Sequence, residues 1–172
     1  MSAAIDTYVE SELVGSPREF SNAFNCDGTV IKCVYVKWTK GTESDGTIYR
    51  LFKSMPANII PLQILFAGAA NAGLTEVDLG LYEERGGPVI IKDCLADGIN
   101  VAAGAANFKE ATAFDLLSAK AGYANLQKRL FEYAGHDLTT PPRGGYDIAL
   151  TCNVAGATGS TVHAVRMIYA QG

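Results

Sequence analysis

The stretch from residue 46 to 82 constrains the fold more than any other part of this chain. It reads Gly46-Thr-Ile-Tyr-Arg-Leu-Phe-Lys, then Pro56-Ala-Asn-Ile-Ile-Pro-Leu-Gln-Ile-Leu, then Val77-Asp-Leu-Gly-Leu-Tyr. Runs rich in β-branched and aromatic residues are cut every few positions by Gly, Pro or Asn, which is the punctuation of short strands and turns. No cluster of acids, histidines or cysteines lies among them, so the stretch reads as scaffold with no reaction centre in view.

The same signals run on either side. Residues 29–38 are rich in Val, Ile, Tyr and Trp and end in the loop chemistry of Lys40-Gly-Thr-Glu-Ser-Asp-Gly. With 47–54 they predict a β-hairpin with a long loop. Residues 59–66 read as a third strand, in which Pro61 must sit at an edge, a bulge or the strand's beginning because it cannot donate to a ladder. Over 74–82, Val77, Leu79 and Leu81 fall on one face and Glu76, Asp78 and Gly80 on the other, so one face is core and the other wet or shared. Arg85-Gly-Gly-Pro is a turn before a short strand at 89–92.

Near the C-terminus, Tyr146, Ile148, Leu150, Cys152 and Val154 alternate with Asp147, Ala149, Thr151 and Asn153. Residues 160–170 set His163, Val165, Met167 and Tyr169 on one face. The two runs are expected to pair as a terminal hairpin that closes the fold at an edge. One helix is predicted, roughly 113–134, from Leu116, Ala119, Tyr123, Leu126, Leu130 and Tyr133 at three- and four-residue steps, with Gly135 placed to cap it. The expected architecture is mainly β, a β-sandwich or β-barrel of about six to eight strands with that one surface helix. Residues 1–28 hold isolated Ile5, Tyr8, Val9, Leu13, Phe20 and Phe24 among polar residues, an extended N-terminal arm, and 29–172 form a single β-rich domain.

Composition limits the function classes. Of the 172 residues 48% are hydrophobic and only 19% charged, a balance that suggests surface covered by neighbours. A formal net charge of −4 with scattered Lys and Arg argues against a nucleic-acid partner. The start lacks the basic and apolar regions of a secretory signal, and no run approaches a membrane span, so synthesis in a cytoplasm and no membrane partner are expected. Cys26, Cys33, Cys94 and Cys152 lack zinc-site spacing and are read as reduced, mostly buried thiols.

No catalytic set assembles from the sequence. His136 follows the capping glycine and His163 shares an apolar strand face, positions that suit a cap and a half-buried histidine. There is no Gly-x-Ser-x-Gly elbow, and Glu83, Glu84, Asp93 and Asp97 fit neither a calcium loop nor paired glycosidase carboxylates. Gly86-Gly87 and Gly144-Gly145 lack the spacing of phosphate loops. The chain is therefore expected not to be an enzyme and to use no cofactor or metal. Tyr35, Trp38, Tyr49 and Phe52 form an aromatic group that suits core packing, or else a sugar or protein contact. Tyr8, Phe20, Phe24, Tyr35 and Trp38 are the candidate interaction surface.

Three segments carry a resemblance: Gly46-Thr-Ile-Tyr-Arg-Leu-Phe-Lys-Ser-Met-Pro-Ala-Asn-Ile-Ile-Pro-Leu, Asp78-Leu-Gly-Leu-Tyr and Tyr146-Asp-Ile-Ala-Leu-Thr. The chain resembles small virion proteins of tailed bacteriophages encoded near the major capsid protein, over roughly 46–82 and 113–169. It departs from that group at Ile59, where Ala is commoner, and before Cys26. The resemblance implies a capsid decoration or cementing protein on the virion surface. Its partners would be the major capsid protein and copies of itself, trimers before dimers. Two other readings stand beside it: a glycan or host-surface binding module of a head or tail fibre built on Trp38 and nearby tyrosines, and a neck or tail structural subunit.

Overall fold

The computed structural model describes residues 6–8, 19–20, 30–40, 45–70, 74–105, 114–115, 128–137, 144–154 and 161–171; for 6–8, 19–20, 40 and 114–115 it describes the backbone alone. Among these the chain forms two sheets packed face to face. Seven strands have seven or more residues: β3 (Val30–Lys40), β4 (Thr47–Pro56), β5 (Ile60–Gly68), β6 (Val77–Glu83), β7 (Val89–Ile99), β9 (Gly145–Cys152) and β10 (Thr161–Gln171). Three shorter ones extend the edges: β1 (Asp6–Tyr8), β2 (Glu19–Phe20) and β8 (Phe114–Asp115). Sheet A has the order β1-β4-β9-β6-β7 and sheet B the order β2-β3-β10-β5-β8. All pairings are antiparallel except β1 with β4. The mainly β sandwich is thus observed, with seven long strands.

Alternation accounts for the core. Tyr49, Leu79, Leu81, Ile148 and Leu150 of sheet A meet Val36, Trp38, Ile64, Phe66, Val165 and Met167 of sheet B in one buried cluster. The strands' positions differ from the sequence reading in two ways. β3 and β4 are not a hairpin, because they lie in opposite sheets. The loop between them is long enough to cross the roughly 10 Å between sheets, and Trp38 meets Tyr49 across that gap at 5.6 Å. β9 and β10 are not a hairpin either: each is the middle strand of its own sheet, so they build the centre of the fold and no edge. Period-2 patterning fixes which face a residue takes, and it is silent on whether the next strand lies beside or across.

Pro61 sits second in β5, next to a register shift opposite Ile168 and Tyr169, where its missing N–H is tolerated. The helix differs more. Phe114–Asp115 is a strand against Leu65 and Phe66 of β5, and 116–127 lies outside the described residues. The helix that is described, α1 (Leu130–Tyr133), starts only after Arg129, whose backbone is extended. Its first N–H groups are taken by other strands' loops: Leu130 N–H donates to the Ile59 carbonyl and Phe131 N–H to the Ala57 carbonyl, both at 3.0 Å. Arg129 N–H donates to the Glu132 side chain at 2.7 Å, half of a capping box.

α1 is buried through Leu130, Phe131 and Tyr133, so it plugs the core and is no surface helix. Gly135 caps it as the sequence predicts. At φ 87° it lets the Gly135 and His136 N–H groups donate to the Glu132 and Phe131 carbonyls at 3.2 and 2.9 Å, the paired bonds of a Schellman end.

Candidate functional site

The three segments quoted above for their resemblance converge on one place, the outer face of sheet A. Antiparallel register sets Arg50 opposite Ala149, Gly80 opposite Ala149, Tyr82 opposite Asp147 and Asp78 opposite Thr151. The alternation over β6 and β9 suggests that this second face is wet or shared. It is shared: every residue from Val77 to Tyr82 is buried, and so are Asp147, Ala149 and Thr151.

Polar groups there satisfy one another. The Arg50 guanidinium, 1% exposed, pairs with Asp147 Oδ2 at 3.3 Å. It also donates to the Glu83 carbonyl at 3.4 Å and the Gly87 carbonyl at 2.7 Å, and its Cζ lies 5.0 Å from the centroid of the Tyr82 ring. Asp147 Oδ1 accepts from the Ser54 N–H at 2.9 Å, and the Tyr82 and Thr151 hydroxyls bond at 2.6 Å. Asp78 accepts from Gly98 N–H at 2.8 Å and Asn153 Nδ2 at 2.7 Å. Lys92 Nζ closes the layer 3.3 Å from Asp78 Oδ2, and that hydrogen bond raises the lysine's pKa above its ordinary value.

These bonds hold the chain after β6 down onto the sheet. Along β7 the ladder with β6 shifts register three times, so the longer strand bulges over the sheet face. Gly80 is what permits it: a Cβ there would stand 2.1 Å from the Ile91 carbonyl oxygen and 2.3 Å from the Lys92 carbonyl carbon. Asp78-Leu-Gly-Leu-Tyr82 is therefore a packing motif, with an acceptor, a bare backbone and a hydroxyl at successive outward positions. Arg50 was not singled out by the sequence reading. Charged residues at matching outward positions of three otherwise apolar strands were its signal.

The candidate interaction residues separate. Tyr35 is 45% exposed on the outer face of sheet B, beside Arg166 in register. Trp38, three residues on and of opposite parity, is 8% exposed and belongs to the core. Its ring packs against Tyr49, Phe66 and His163 at centroid distances of 5.6, 6.4 and 5.7 Å, and its Nε1 is buried with no hydrogen-bond partner. An indole so enclosed has no face to offer a sugar or a partner. Tyr8 and Phe20 lie in β1 and β2, which pair with Ile48–Arg50 and with Ile31–Lys32; Phe24 lies outside the described residues.

The groups with chemistry are dispersed. His163 is buried, its Nε2 2.8 Å from the Thr161 hydroxyl, and His136 is exposed beyond the helix cap. Cys33, Cys94 and Cys152 form no disulfide, and Cys26 lies outside the described residues. Burial pushes the Cys33 thiol up despite Arg166 nearby. Burial likewise raises the Tyr146 phenol, and pushes Tyr133 up to about 12. Among the described residues no three His, Cys, Asp or Glu side chains gather as a metal site, and no helix is long and apolar enough to cross a membrane. A shallow recess of about 200 Å³ is lined by Lys53, Ser54, Arg85 and Asp147. Ser54 and Arg85 adopt positive φ of 49° and 60°, and the Asp147 carboxylate at its base already serves Arg50 and Ser54.

No family model and no curated protein matches this chain. Its structure is similar to a chain of the cyanophage Pam1 capsid asymmetric unit, with a TM-score of 0.47 and 14% identity, over 83% of this chain and 85% of that one.

Proposed function

We propose that this chain is a structural virion protein of a tailed phage that decorates the capsid and stabilises it through protein–protein contacts. The observation that supports this reading is the convergence of the three resembling segments. Their distinctive residues, Arg50, Asp78, Gly80, Tyr82, Asp147 and Thr151, build one buried layer on one sheet face. The likeness to phage virion proteins therefore rests on residues that act together in the fold, beyond a shared taste for strand formers. A cementing role asks for area and repetition, since many weak contacts on a symmetric lattice add by avidity.

Burial of Trp38 weakens the glycan-binding reading built on Trp38 and the nearby tyrosines. The test is co-assembly with the major capsid protein of the source phage. The protein should sediment with assembled capsids and raise their melting temperature. Failure to bind capsids, with binding to purified tails or necks instead, would move it to the neck or tail.

A further inference from the structure

β7 is the last strand of sheet A, and its bulged path crosses Gly80, where a Cβ would meet the Lys92 backbone. That path brings the Lys92 side chain across β6 to the end of β9, where side chains from three parts of the sheet meet. Lys92 Nζ donates to Asn153 Oδ1 at 3.3 Å, and Asn153 Nδ2 donates to Asp78 Oδ2 at 2.7 Å. Lys92 Nζ lies 3.3 Å from the same carboxylate oxygen. The triangle fixes the amide's orientation. An ammonium only donates and a carboxylate only accepts, so the carbonyl faces Lys92 and the NH2 group faces Asp78.

Two corners of the triangle are held. Asp78 is 2% exposed and its other oxygen accepts from Gly98 N–H at 2.8 Å. Asn153 is anchored through its backbone N–H, which donates to the Glu76 carbonyl at 3.0 Å. Lys92 is the adjustable corner, its side chain 54% exposed on a flexible four-carbon stem. An amine, an amide carbonyl and a carboxylate in mutual contact are the nucleophile, the electrophile and the proton carrier of an amide exchange.

We propose that Lys92 and Asn153 become joined by an intramolecular isopeptide bond, with Asp78 carrying the protons. Asp78 takes a proton from the Lys92 ammonium, and the freed Nζ lone pair attacks Asn153 Cγ, one bond beyond the oxygen it already touches. Asp78 passes that proton to Nδ2 and takes a second from Nζ. The Cγ–Nδ2 bond breaks, and the departing ammonia carries the second proton away as ammonium. One C–N bond forms and one breaks, the Asp78 carboxylate is regenerated, and no oxidant or reductant is consumed. The product ties the edge strand β7 to β9 at the sheet centre, between residues 61 apart in sequence. Asp78, Asp93 and Tyr82 are the titratable groups whose charge Lys92 feels, and the Asp78 hydrogen bond raises its pKa. The neutral amine is therefore scarce at neutral pH, so the bond forms slowly after folding and faster as pH rises toward the ordinary lysine value of ~10.4. The bond is argued from this triangle and does not depend on the capsid reading.

Intact-mass spectrometry of the purified full chain tests it. On incubation at about pH 9 the wild type should become lighter by one ammonia, and its tryptic digest should hold a branched peptide in which Lys92 is uncleaved and joined to Asn153. Lys92→Arg keeps a cation that does not attack, and it should keep its full mass with unchanged circular dichroism. Asp78→Asn keeps an acceptor for Gly98 N–H and should slow the loss by about 100-fold or more. A wild type that keeps its full mass would overturn the proposal. Ammonia loss that persists in Lys92→Arg would overturn it too, by assigning the loss to ring closure at an asparagine. Loss at the wild-type rate in Asp78→Asn would overturn the role given to Asp78.

Discussion

Asp147→Ala removes one oxygen from Arg50 and one acceptor from the Ser54 N–H, while leaving a guanidinium that is 1% exposed. The two carbonyls of Glu83 and Gly87 and the Tyr82 ring remain around it, so hydrogen bonding is only partly lost. What is lost is the compensating charge, and stripping one partner from a buried pair costs about 3–5 kcal/mol. For a domain of this length each kcal/mol moves Tm by about 2–4 °C, so a fall of roughly 6–20 °C is expected. The informative comparison is the double variant Arg50→Met with Asp147→Leu. It leaves no buried charge, and apolar replacements of similar volume are often neutral or stabilising by about 1–4 kcal/mol. The expectation is therefore strong non-additivity: the double variant should be more stable than Asp147→Ala alone. Calorimetric melts of Asp147→Ala, of the single variants Arg50→Met and Asp147→Leu, and of the double variant decide it. A loss under about 1 kcal/mol for Asp147→Ala, or a double variant that loses the sum of the singles, would refute the claim that this pair is a closed, desolvated unit.

Four further outcomes are expected. Gly80→Ala drives a Cβ into the β7 backbone and should cost about 1–3 kcal/mol or more in urea melts, whereas Gly98→Ala meets only Glu76 at 4.0 Å and should cost about 1 kcal/mol for its positive φ alone. Trp38 fluorescence should resist acrylamide in the native state and become several-fold more quenchable in denaturant, and Trp38→Ala should cost about 3–5 kcal/mol; strong native quenching would contradict its core position. Tyr133, with its phenol pushed up to about 12, holds its proton in the folded state after the unfolded chain has lost it. Its contribution is full below about pH 10 and is lost as pH rises from about 10 to about 12, and a phenolate absorbance titration that shows every tyrosine ionising near 10 would contradict it. Deleting residues 1–24 should leave the sandwich folded, because β1 and β2 touch only the outer strands through three and two register positions, and it should weaken partner binding; loss of folding would make the arm part of the core.

Strand positions were legible because side-chain alternation is a local property: five of the long strands lie within about two residues of their sequence boundaries, β6 starts three residues later than predicted, and only β7 runs well past the predicted 89–92. Partner choice was not. The links 41–46 and 153–160 fit a wide hairpin and a crossing between sheets equally well, and only packing of Trp38 on Tyr49, and of β9 and β10 at the two sheet centres, decides between them. The covered outer face of sheet A was half legible. Asp78, Asp147 and Arg50 sat at outward positions, but what buries them is the bulged β7 strand, whose path depends on Gly80 making room. The helical spacing around Leu130 and Tyr133 was real, yet it predicted too long and too exposed a helix, because the carbonyls of Ala57 and Ile59 that start α1 come from far away in sequence. For the interaction surface, aromatic content marked Tyr35 and Trp38 alike, and their opposite parity on β3 separates them into one exposed and one buried ring.

The most direct test of the decorating role is quantitative mass spectrometry of purified virions, reading this protein against the major capsid protein. A decorating role predicts a ratio near one, or one fixed by the lattice symmetry of the capsid. A handful of copies per particle, or none, would contradict it.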